Sequence, residues 1–345
     1  MTKQVKIGNV VIGGGNLVAI QSMANIKTSK INDVVRQIAE LEVLGCDIIR
    51  VSVKDDDDVK ALSEIKKRIS IPLVADIHFN YKYALKAIDS GVDKIRINPG
   101  NIGSEKNVEE VAKALIHSDV AVRVGSNSGS IEKEFLAKYG RSEVSLAESA
   151  LKNVAALERY GVDKIVLSAK ANNVPLTVKT YEYLNKKTDY PLHVGVTEAG
   201  TYNSGIVKSS IGIGSLLLKG IGDTIRVSLT AQPREEIFAA KRILRSVGLD
   251  ENYVEVISCP TCGRTEYDSI SLARKAEELT SGIKKHLKIA VMGCVVNGPG
   301  EAADCDLGIA GGSGYCAFFK NGEVYKKVPF ENVEEEFLKE IEKLV

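Results

Sequence analysis

The sequence has no apolar run long enough for a signal peptide or a membrane-spanning helix. Its longest apolar runs, such as Val291–Val296, have the length of a β-strand. The first residues, Met1–Gly8, mix Lys and Gln with isolated valines, and no hydrophobic stretch follows them. We therefore expect a cytoplasmic protein with no membrane partner.

The sequence also lacks an excess of charge and a dinucleotide-binding motif. Its 46 basic and 45 acidic residues are interspersed and give a net charge of +1, so no basic surface for nucleic acid is expected. No fingerprint for a nicotinamide or flavin cofactor is present. Only 6 of the 345 residues are cysteines, which is too few for a disulfide scaffold and more typical of metal or catalytic chemistry.

A short phrase recurs along the first part of the chain and consists of a glycine, an aspartate and a β-rich run. Its copies begin at Gly45, Gly91, Gly161 and Gly220. Each glycine is typical of the end of a helix, and the run after it predicts a strand. The spacing of apolar residues from Ile31 to Leu44 predicts the helix that precedes the first copy. The chain therefore begins as a series of βα units.

Eight β-rich runs, most of them separated by helical stretches, fill this first part. They are Val18–Met23, Ile48–Val53, Leu73–Ile77, Lys94–Asn98, Ala121–Gly125, Lys164–Ser168, Leu192–Thr197 and Thr224–Leu229. With a final helix that begins at Pro233, the segment reaches the ~250 residues usual for a (β/α)8 barrel. The alternative is a doubly wound open sheet, which needs fewer strands. We predict a TIM-type barrel over residues 1–248.

The pattern changes after Gly248. The remaining runs predict a strand near Val254–Ile257, a helix near Ser269–Ile283, a strand at Lys288–Met292, a hairpin turn at Asn321–Gly322 and a helix from Val333 to Leu344. We predict a smaller α+β domain over residues 249–345, so the fold class is α/β with an appended α+β domain.

Polar side chains occupy strand-end positions that branched apolar residues normally fill in such barrels. They are Arg50, Ser52, Asp76, His78, Arg96, Asn98, Arg123, Asn127, Ser168, Lys170, Glu198, Arg226 and Ser228. Residues two apart in a strand share a face, so these side chains should meet at the mouth of the barrel, where active sites lie. Any single arginine could instead lie at the surface, and His78 could be a core histidine instead of a proton donor.

The cations in this group outnumber the carboxylates. Only Asp76 and Glu198 oppose the positive charges of Arg50, Arg96, Arg123, Lys170 and Arg226. Forked guanidinium groups suit phosphate oxygens, so we expect a phosphorylated ligand. A weaker phosphate candidate is the segment Gly212–Ser215, through its backbone N–H groups.

Three cysteines are spaced like ligands of one metal centre. Cys259 and Cys262 form a Cys-x-x-Cys motif, and Cys294 follows in a second Gly-rich turn. An iron-sulfur cluster, a zinc ion and unliganded thiols all remain open, and the Gly- and Pro-rich surroundings favour iron-sulfur. Cys305 and Cys316 are possible fourth ligands.

Motifs spread along the whole chain carry a family resemblance. They are Ala75–Phe79, Arg96–Asn101, Leu192–Gly200, Ile225–Thr230, Cys259–Thr265 and Asn297–Glu301. Together they resemble the 4-hydroxy-3-methylbut-2-enyl diphosphate synthase family in its short bacterial form, which serves the methylerythritol phosphate route to isoprenoids. The cysteine motif joined to Asn-Gly-Pro-Gly-Glu is the most specific part.

The resemblance implies an iron-sulfur oxidoreductase that opens the ring of 2-C-methyl-D-erythritol 2,4-cyclodiphosphate reductively, with loss of water. It also implies a ferredoxin or flavodoxin as electron donor and a head-to-tail homodimer. The cofactor would be a [4Fe-4S] cluster, and this ligand set leaves no place for Cys305 or Cys316. The implied ligands are Cys259, Cys262, Cys294 and Glu301.

The predicted site follows from the polar strand ends and the resemblance together. We expect catalytic roles for His78, Glu198 and Glu301. Substrate binding is expected from Arg50, Asp76, Arg96, Asn98, Arg123, Asn127, Lys170, Arg226, Ser228 and Asn297.

Two other enzyme classes remain open. One is a barrel lyase or transferase with structural zinc, which would be colourless. The other is a siroheme-type reductase half, which would contain a tetrapyrrole.

Overall fold

The computed structural model describes residues 1–296, 300 and 302–345. They form two compact units, Met1–Leu249 and Asp250–Val345, and each unit has its own hydrophobic core. Among these residues, no helix combines the length and the apolar character that crossing a bilayer requires.

The first unit is a barrel of parallel strands preceded by a hairpin. The hairpin pairs β1 (Val5–Ile7) with β2 (Val10–Ile12). The barrel strands are β3 (Ala19–Met23), β4 (Ile48–Val53), β5 (Leu73–Ile77), β6 (Lys94–Ile97), β7 (Ala121–Asn127), β8 (Ile165–Lys170), β9 (His193–Val194) and β10 (Thr224–Ile225). β3 to β8 are neighbours in chain order, β10 lies between β3 and β9, and a bridge from Leu167 to Leu192 closes the barrel. The predicted TIM-type barrel is confirmed.

Helices connect the strands. They are α1 (Ile31–Val43), α2 (Asp56–Lys67), α3 (Tyr81–Asp89), α4 (Glu105–Ile116), α5 (Lys133–Tyr139), α6 (Glu143–Glu158), α7 (Val174–Lys187), α8 (Tyr202–Leu217) and α9 (Pro233–Ser246). Short 3-10 helices, Pro99–Asn101 and Ser128–Ser130, follow β6 and β7. α2 shows how the sequence starts a helix: the Asp55 side chain accepts the N–H of Asp58, and the first turn is acidic.

The last two barrel strands are shorter than the β-rich runs predicted. β9 and β10 have 2 residues each, although the chain beyond them still pairs, since the N–H of Arg226 donates to the carbonyl of Val194 at 3.0 Å. Gly195 permits this close approach. A Cβ there would lie 2.4 Å from the carbonyl oxygen of Arg226 and 2.9 Å from Lys170 Nζ.

The N-terminal hairpin, which was not predicted, closes the base of the barrel. Val5, Ile7 and Ile12 pack against small and branched residues near the amino ends of the strands. These strand residues are Ala19, Ile48, Val74, Ala121 and Val166. The predicted polar residues lie further along the same strands, toward the mouth of the barrel.

The second unit is an α+β fold with a mixed sheet. Its elements are β11 (Val254–Ser258), α10 (Ser269–Thr280), β12 (Leu287–Met292), β13 (Leu307–Gly312), β14 (Tyr315–Lys320), β15 (Glu323–Pro329) and α11 (Val333–Glu342). β11, β12 and β13 are parallel, and β13, β14 and β15 are antiparallel. The turn at Asn321–Gly322 joins β14 to β15 with positive φ at both residues. The predicted α+β class is confirmed.

Candidate active site

Asp76 is a buried carboxylate of the barrel mouth and lies between two arginines. Its Oδ2 is 3.8 Å from Arg50 Nε, and its Oδ1 is 3.4 Å from Arg96 Nη1. β4, β5 and β6 are adjacent parallel strands, and their register places Asp76 directly beside Arg96. The Asp76 side chain is only 7% exposed, and the arginine side chains are 12% and 10% exposed. The strand order therefore brings these three predicted residues together.

The two arginines keep Asp76 ionised. Burial alone would raise the pKa of Asp76, but the charge of Arg50, a hydrogen bond from His78 and the charge of Arg96 outweigh it. The net result is a pKa well below the usual range for an aspartate. A carboxylate held in this form cannot donate a proton at neutral pH. Its contacts hold the two guanidinium groups and partly neutralise their charge.

His78 lies at the rim of the mouth. Its ring is 51% exposed, so it is not a core histidine. Nε2 lies 3.4 Å from Asp76 Oδ2 and 3.2 Å from Arg96 Nη1. The next residue, Phe79, has a φ of 62°, a region that non-glycine residues seldom occupy. An exposed imidazole beside a carboxylate can exchange a proton with a molecule bound at the mouth.

Two buried cations have no carboxylate within salt-bridge distance among the described residues. Arg123 is 2% exposed, and its Nε and Nη1 have no hydrogen-bond partner in the part of the chain that the structure describes. Lys170 is 9% exposed. Burial, followed by the charges of neighbouring cations, lowers the pKa of both groups well below their usual values. Because a buried cation without a counter-charge is costly, this arrangement favours an anionic ligand.

Arg226 is held by a carboxylate that was not predicted. Its Nη2 lies 3.6 Å from Glu236 Oε1, while its Nε has no partner among the described residues. Glu236 is 5% exposed and also accepts the Ser22 hydroxyl at 3.2 Å and the N–H of Leu229 at 3.1 Å. In the sequence Glu236 is one of two acidic residues in the first turn of α9. Acidic residues are common there because they interact favourably with the helix dipole, so no feature of the sequence pointed to a contact with Arg226.

Lys94 is a further missed residue. It is completely buried, and its Nζ donates to Gln21 Oε1 at 2.9 Å. Burial and the charges of Arg123 and Arg50 lower its pKa well below the usual value. Lys94 is two residues before Arg96 and so shares its strand face, a signal that could have found it.

The other predicted barrel residues differ in their surroundings. Asn98 is 7% exposed, and its Oδ1 accepts the N–H of Gly100 at 3.1 Å. Asn127 is exposed at the end of β7, and Ser228 is half-buried beyond β10. Glu198 is exposed with a φ of 52°. It makes no hydrogen bond or ion pair with any described residue, so the structure does not bring it into contact with the cations.

The phosphate role proposed for Gly212–Ser215 is wrong. The segment lies inside α8, where its N–H groups bond to carbonyls of the helix itself. A Cβ at Gly212 would lie 2.5 Å from Val196 Cγ2. The glycine therefore allows α8 to pack closely on the chain after β9.

In the second unit, β11 and β12 bring Cys259 and Cys294 to the same edge of the sheet. The two strands are adjacent and parallel, with Ser258 paired to Val291, and each cysteine follows the carboxyl end of its strand. The N–H of Gly293 donates to Cys259 Sγ at 3.1 Å. Backbone N–H groups directed at sulfur are a device that tunes iron-sulfur centres.

Cys262 is exposed. A backbone hydrogen bond from Arg264, together with the charge of that residue, lowers the pKa of its thiol. Thr265 accepts the N–H of Cys262 at 3.4 Å, which fixes the turn. Cys262 is thus the most accessible thiol of the motif and is biased toward the thiolate form in which metals are bound.

The remaining cysteines of this unit are unsuited to metal binding. Cys305 and Cys316 are buried, and burial raises the pKa of Cys305 to about 11 and that of Cys316 to about 12. This leaves Cys259, Cys262 and Cys294 as the candidate donors, and three thiols suit the thiolate chemistry of an iron-sulfur cluster. Within the described residues no three His, Cys, Asp or Glu side chains could hold a single metal ion. Asn297 and Glu301 lie outside the described residues.

Comparisons with known proteins cover both units. The family model "GcpE TIM-barrel domain" matches residues 2–241, and "GcpE protein C-terminal domain" matches residues 255–343. A protein from Caldanaerobacter subterraneus subsp. tengcongensis is 56% identical, with 100% of this chain and 98% of the relative covered. One from Clostridium perfringens is 53% identical, with 99% and 98% covered. Both are named 4-hydroxy-3-methylbut-2-en-1-yl diphosphate synthase (flavodoxin).

Solved structures match the barrel. A dihydropteroate synthase from Stenotrophomonas maltophilia aligns with 72% of this chain and 98% of its own, at a TM-score of 0.52 and 13% sequence identity. At this level of identity the match shows a common barrel fold and nothing about the reaction.

Proposed function

The chain belongs to the GcpE family, and we infer from this that it catalyses the reaction for which its relatives are named, synthesis of 4-hydroxy-3-methylbut-2-en-1-yl diphosphate. The substrate is 2-C-methyl-D-erythritol 2,4-cyclodiphosphate, whose ring is opened reductively with loss of water. The family resemblance and the function predicted from the motifs are confirmed. The structural observation that supports the function best is the buried cationic mouth of the barrel, in which two Arg123 nitrogens find no acceptor among the described residues.

We propose that the barrel mouth binds the diphosphate. Unpaired guanidinium and ammonium groups would gain charge-assisted hydrogen bonds from phosphate oxygens and lose their mutual repulsion. Asp76 and Glu236 would hold arginines in place, and His78 at the rim would donate a proton. The proposed binding residues are Arg50, Asp76, Arg96, Asn98, Arg123, Asn127, Lys170, Arg226, Ser228 and Asn297. A catalytic role for Glu198 stays a prediction.

We propose that Cys259, Cys262 and Cys294 hold a [4Fe-4S] cluster and, by resemblance, that Glu301 is its fourth ligand. A bound cluster would supply the electrons for ring opening and a Lewis-acidic iron. The N–H of Gly293 would stabilise the Cys259 thiolate. A carboxylate ligand is harder and more easily displaced than a thiolate, which would leave one position open to a substrate oxygen.

The electron donor is proposed to be flavodoxin, because the relatives carry that word in their names. Ferredoxin, the other donor considered from the sequence, has no such support. A cytoplasmic location and a head-to-tail homodimer stay predictions, and the oligomeric state in solution tests the second.

Turnover by anaerobically purified protein tests the function. We expect a brown protein with broad visible absorption that converts the cyclic diphosphate to the linear allylic diphosphate when reduced flavodoxin is supplied. A colourless protein with zinc and no iron would favour a lyase or transferase. Extractable tetrapyrrole would favour a siroheme-type reductase half.

Substitutions at Glu301 test the fourth ligand. If Glu301 only neutralises a surface cation, Glu301→Ala should lower the free energy of unfolding by less than about 1 kcal/mol and leave turnover almost unchanged. If it binds iron, we expect Glu301→Ala to assemble a labile cluster with greatly reduced activity. Glu301→Cys should retain iron firmly and turn over slowly, because a thiolate resists displacement. Iron content, electron paramagnetic resonance and rate are measured on both variants, and wild-type values throughout would remove Glu301 from the iron.

A further inference from the structure

The loop after β6, Asn98–Asn101, is held by a side chain of α6. The N–H of Gly100 donates to Asn153 Oδ1 at 2.8 Å and to Asn98 Oδ1 at 3.1 Å. Asn153 is 4% exposed. Since Asn98 directly follows the strand that carries Arg96, this N–H connects α6 to the barrel mouth.

Glu132 fixes the orientation of the Asn153 amide. Asn153 Nδ2 donates to Glu132 Oε1 at 3.1 Å and to the carbonyl of Ser149 at 2.8 Å. A flipped amide would place its NH2 group against the N–H of Gly100 and its oxygen against two acceptors. The carboxylate therefore ensures that Asn153 presents an acceptor to the loop.

The geometry around Gly100 is tight. A Cβ at this position would lie 3.3 Å from Asn153 Oδ1 and 3.4 Å from both Asn98 Oδ1 and Glu132 Oε1. Glu132 Oε2 is buried and has no hydrogen-bond partner among the described residues. An unpaired buried acceptor costs free energy, so a carboxylate here is not explained by stability alone.

The N–H of Gly100 does not need Asn153 for its own satisfaction, since Asn98 already provides an acceptor within the loop. The second acceptor has a consequence for Asn98. If Asn153 retains the N–H, the Asn98 amide can turn toward a ligand without leaving a buried donor unpaired.

We propose, on the basis of the function proposed above, that Glu132 and Asn153 are positioning residues for the substrate site. They hold the N–H of Gly100, which frees the Asn98 amide for the substrate and keeps the strand end with Arg96 in place. Neither residue touches the substrate itself.

A charge and amide exchange tests this arrangement. Asn153→Asp keeps an acceptor for Gly100 but places a carboxylate against Glu132, and we expect the Kd for the cyclic diphosphate to rise roughly tenfold. Glu132→Gln keeps an acceptor for Asn153 and should have little effect. In the double variant the amide introduced at position 132 can donate to the carboxylate introduced at position 153, although the carbonyl of Ser149 still faces that carboxylate. We therefore expect most of the loss to be recovered, with a Kd within about threefold of wild type.

A matched control is Asn173→Asp. Asn173 caps α7 by accepting the N–H of Leu176 at 2.8 Å, and Asp is an equally good N-cap. This variant should bind substrate like wild type, which would show that an added carboxylate near the mouth is not sufficient to weaken binding.

The measurements separate positioning from loss of fold. Calorimetry gives the Kd for the cyclic diphosphate and for inorganic diphosphate, and hydrogen exchange by mass spectrometry reports on residues 98–101. We expect faster exchange at residues 98–101 in Asn153→Asp, with the rest of the barrel unchanged at the temperature of the titration, and rescue of both exchange and Kd in the double variant. Wild-type binding by Asn153→Asp, no rescue, or faster exchange spread evenly over the barrel would overturn the proposal. If wild type binds inorganic diphosphate but does not turn over the cyclic diphosphate, the proposed function fails, and the rescue measured with inorganic diphosphate still decides the positioning role.

Discussion

Arg123→Ala is expected to weaken binding of the cyclic diphosphate by about 1.5–3 kcal/mol, a roughly 10- to 150-fold rise in Kd. Arg123 is 2% exposed, and two of its guanidinium nitrogens have no partner among the described residues. These donors are already desolvated, so an incoming phosphate does not have to displace water from them. Calorimetric titration of the substrate measures the change.

The same substitution should not destabilise the free protein. Burial and the charges of Arg50 and Arg96 disfavour the charged form of Arg123. Removal of the guanidinium group therefore relieves charge repulsion, which stabilises the fold, and leaves a cavity, which destabilises it. Burial and the charge of Arg123 together lower the pKa of Lys170, and we expect this pKa to rise in the variant. The melting temperature without ligand should therefore fall little, whereas the additional stabilisation by substrate should be largely lost.

Arg159→Ala is the matched control. Arg159 is 65% exposed and pairs with Glu105 at 3.2 Å on the outer surface. Its removal should lower the free energy of unfolding by under about 1 kcal/mol and leave the Kd for the cyclic diphosphate unchanged. Iron content is measured on both variants. Loss of iron from Arg123→Ala with normal substrate affinity would remove Arg123 from the diphosphate site.

The polar mouth was predictable because strand parity survives small errors in strand bounds. Arg50, Asp76 and Arg96 were expected to meet since residues on adjacent parallel strands share a register, and the structure places them in contact. Lys94 has the same parity but was left out, because a lysine at the first residue of a strand was not expected to be completely buried. Glu236 was missed because its contact with Arg226 joins residues that no local pattern relates.

Two structural elements, β13 and the hairpin of β1 and β2, were also missed. Contacts with distant segments explain both of them. β13 contains glycines that weaken a strand signal, yet a Cβ at Gly308 would lie 2.3 Å from the Phe319 ring, and one at Gly311 would lie 2.5 Å from the carbonyl oxygen of Gly293. The glycines are required by packing across the sheet, which is not visible in one segment of sequence. The hairpin of β1 and β2 is short, and its apolar face is buried only by packing against the base of the barrel. The local sequence therefore gives little sign of it.

Cys259→Ala is expected to lose most of the iron and the visible absorption, and to lower turnover by more than about 100-fold. Loss of a residue that only hydrogen-bonds to a metal ligand typically costs about 10- to 100-fold in metal affinity or activity, and loss of a ligand itself should cost more. The substitution removes a thiolate and leaves the N–H of Gly293, now 3.1 Å from sulfur, without its acceptor. Iron per folded protein, the visible spectrum and the rate of ring opening are measured together. The barrel unit should keep its affinity for the cyclic diphosphate.

Cys305→Ala is the matched control because it removes the same atom from a more deeply buried position. Cys305 is completely buried among apolar residues, whereas Cys259 is partly exposed. A packing effect would therefore be larger at Cys305, since deletion of a buried group leaves a cavity. Ligation instead predicts a difference in iron content: Cys259→Ala loses the iron, whereas Cys305→Ala keeps full iron content and loses only the stability that the cavity costs. Equal iron in the two variants would mean that the Cys-x-x-Cys motif does not hold the cluster, and the zinc and free-thiol alternatives would then have to be tested first.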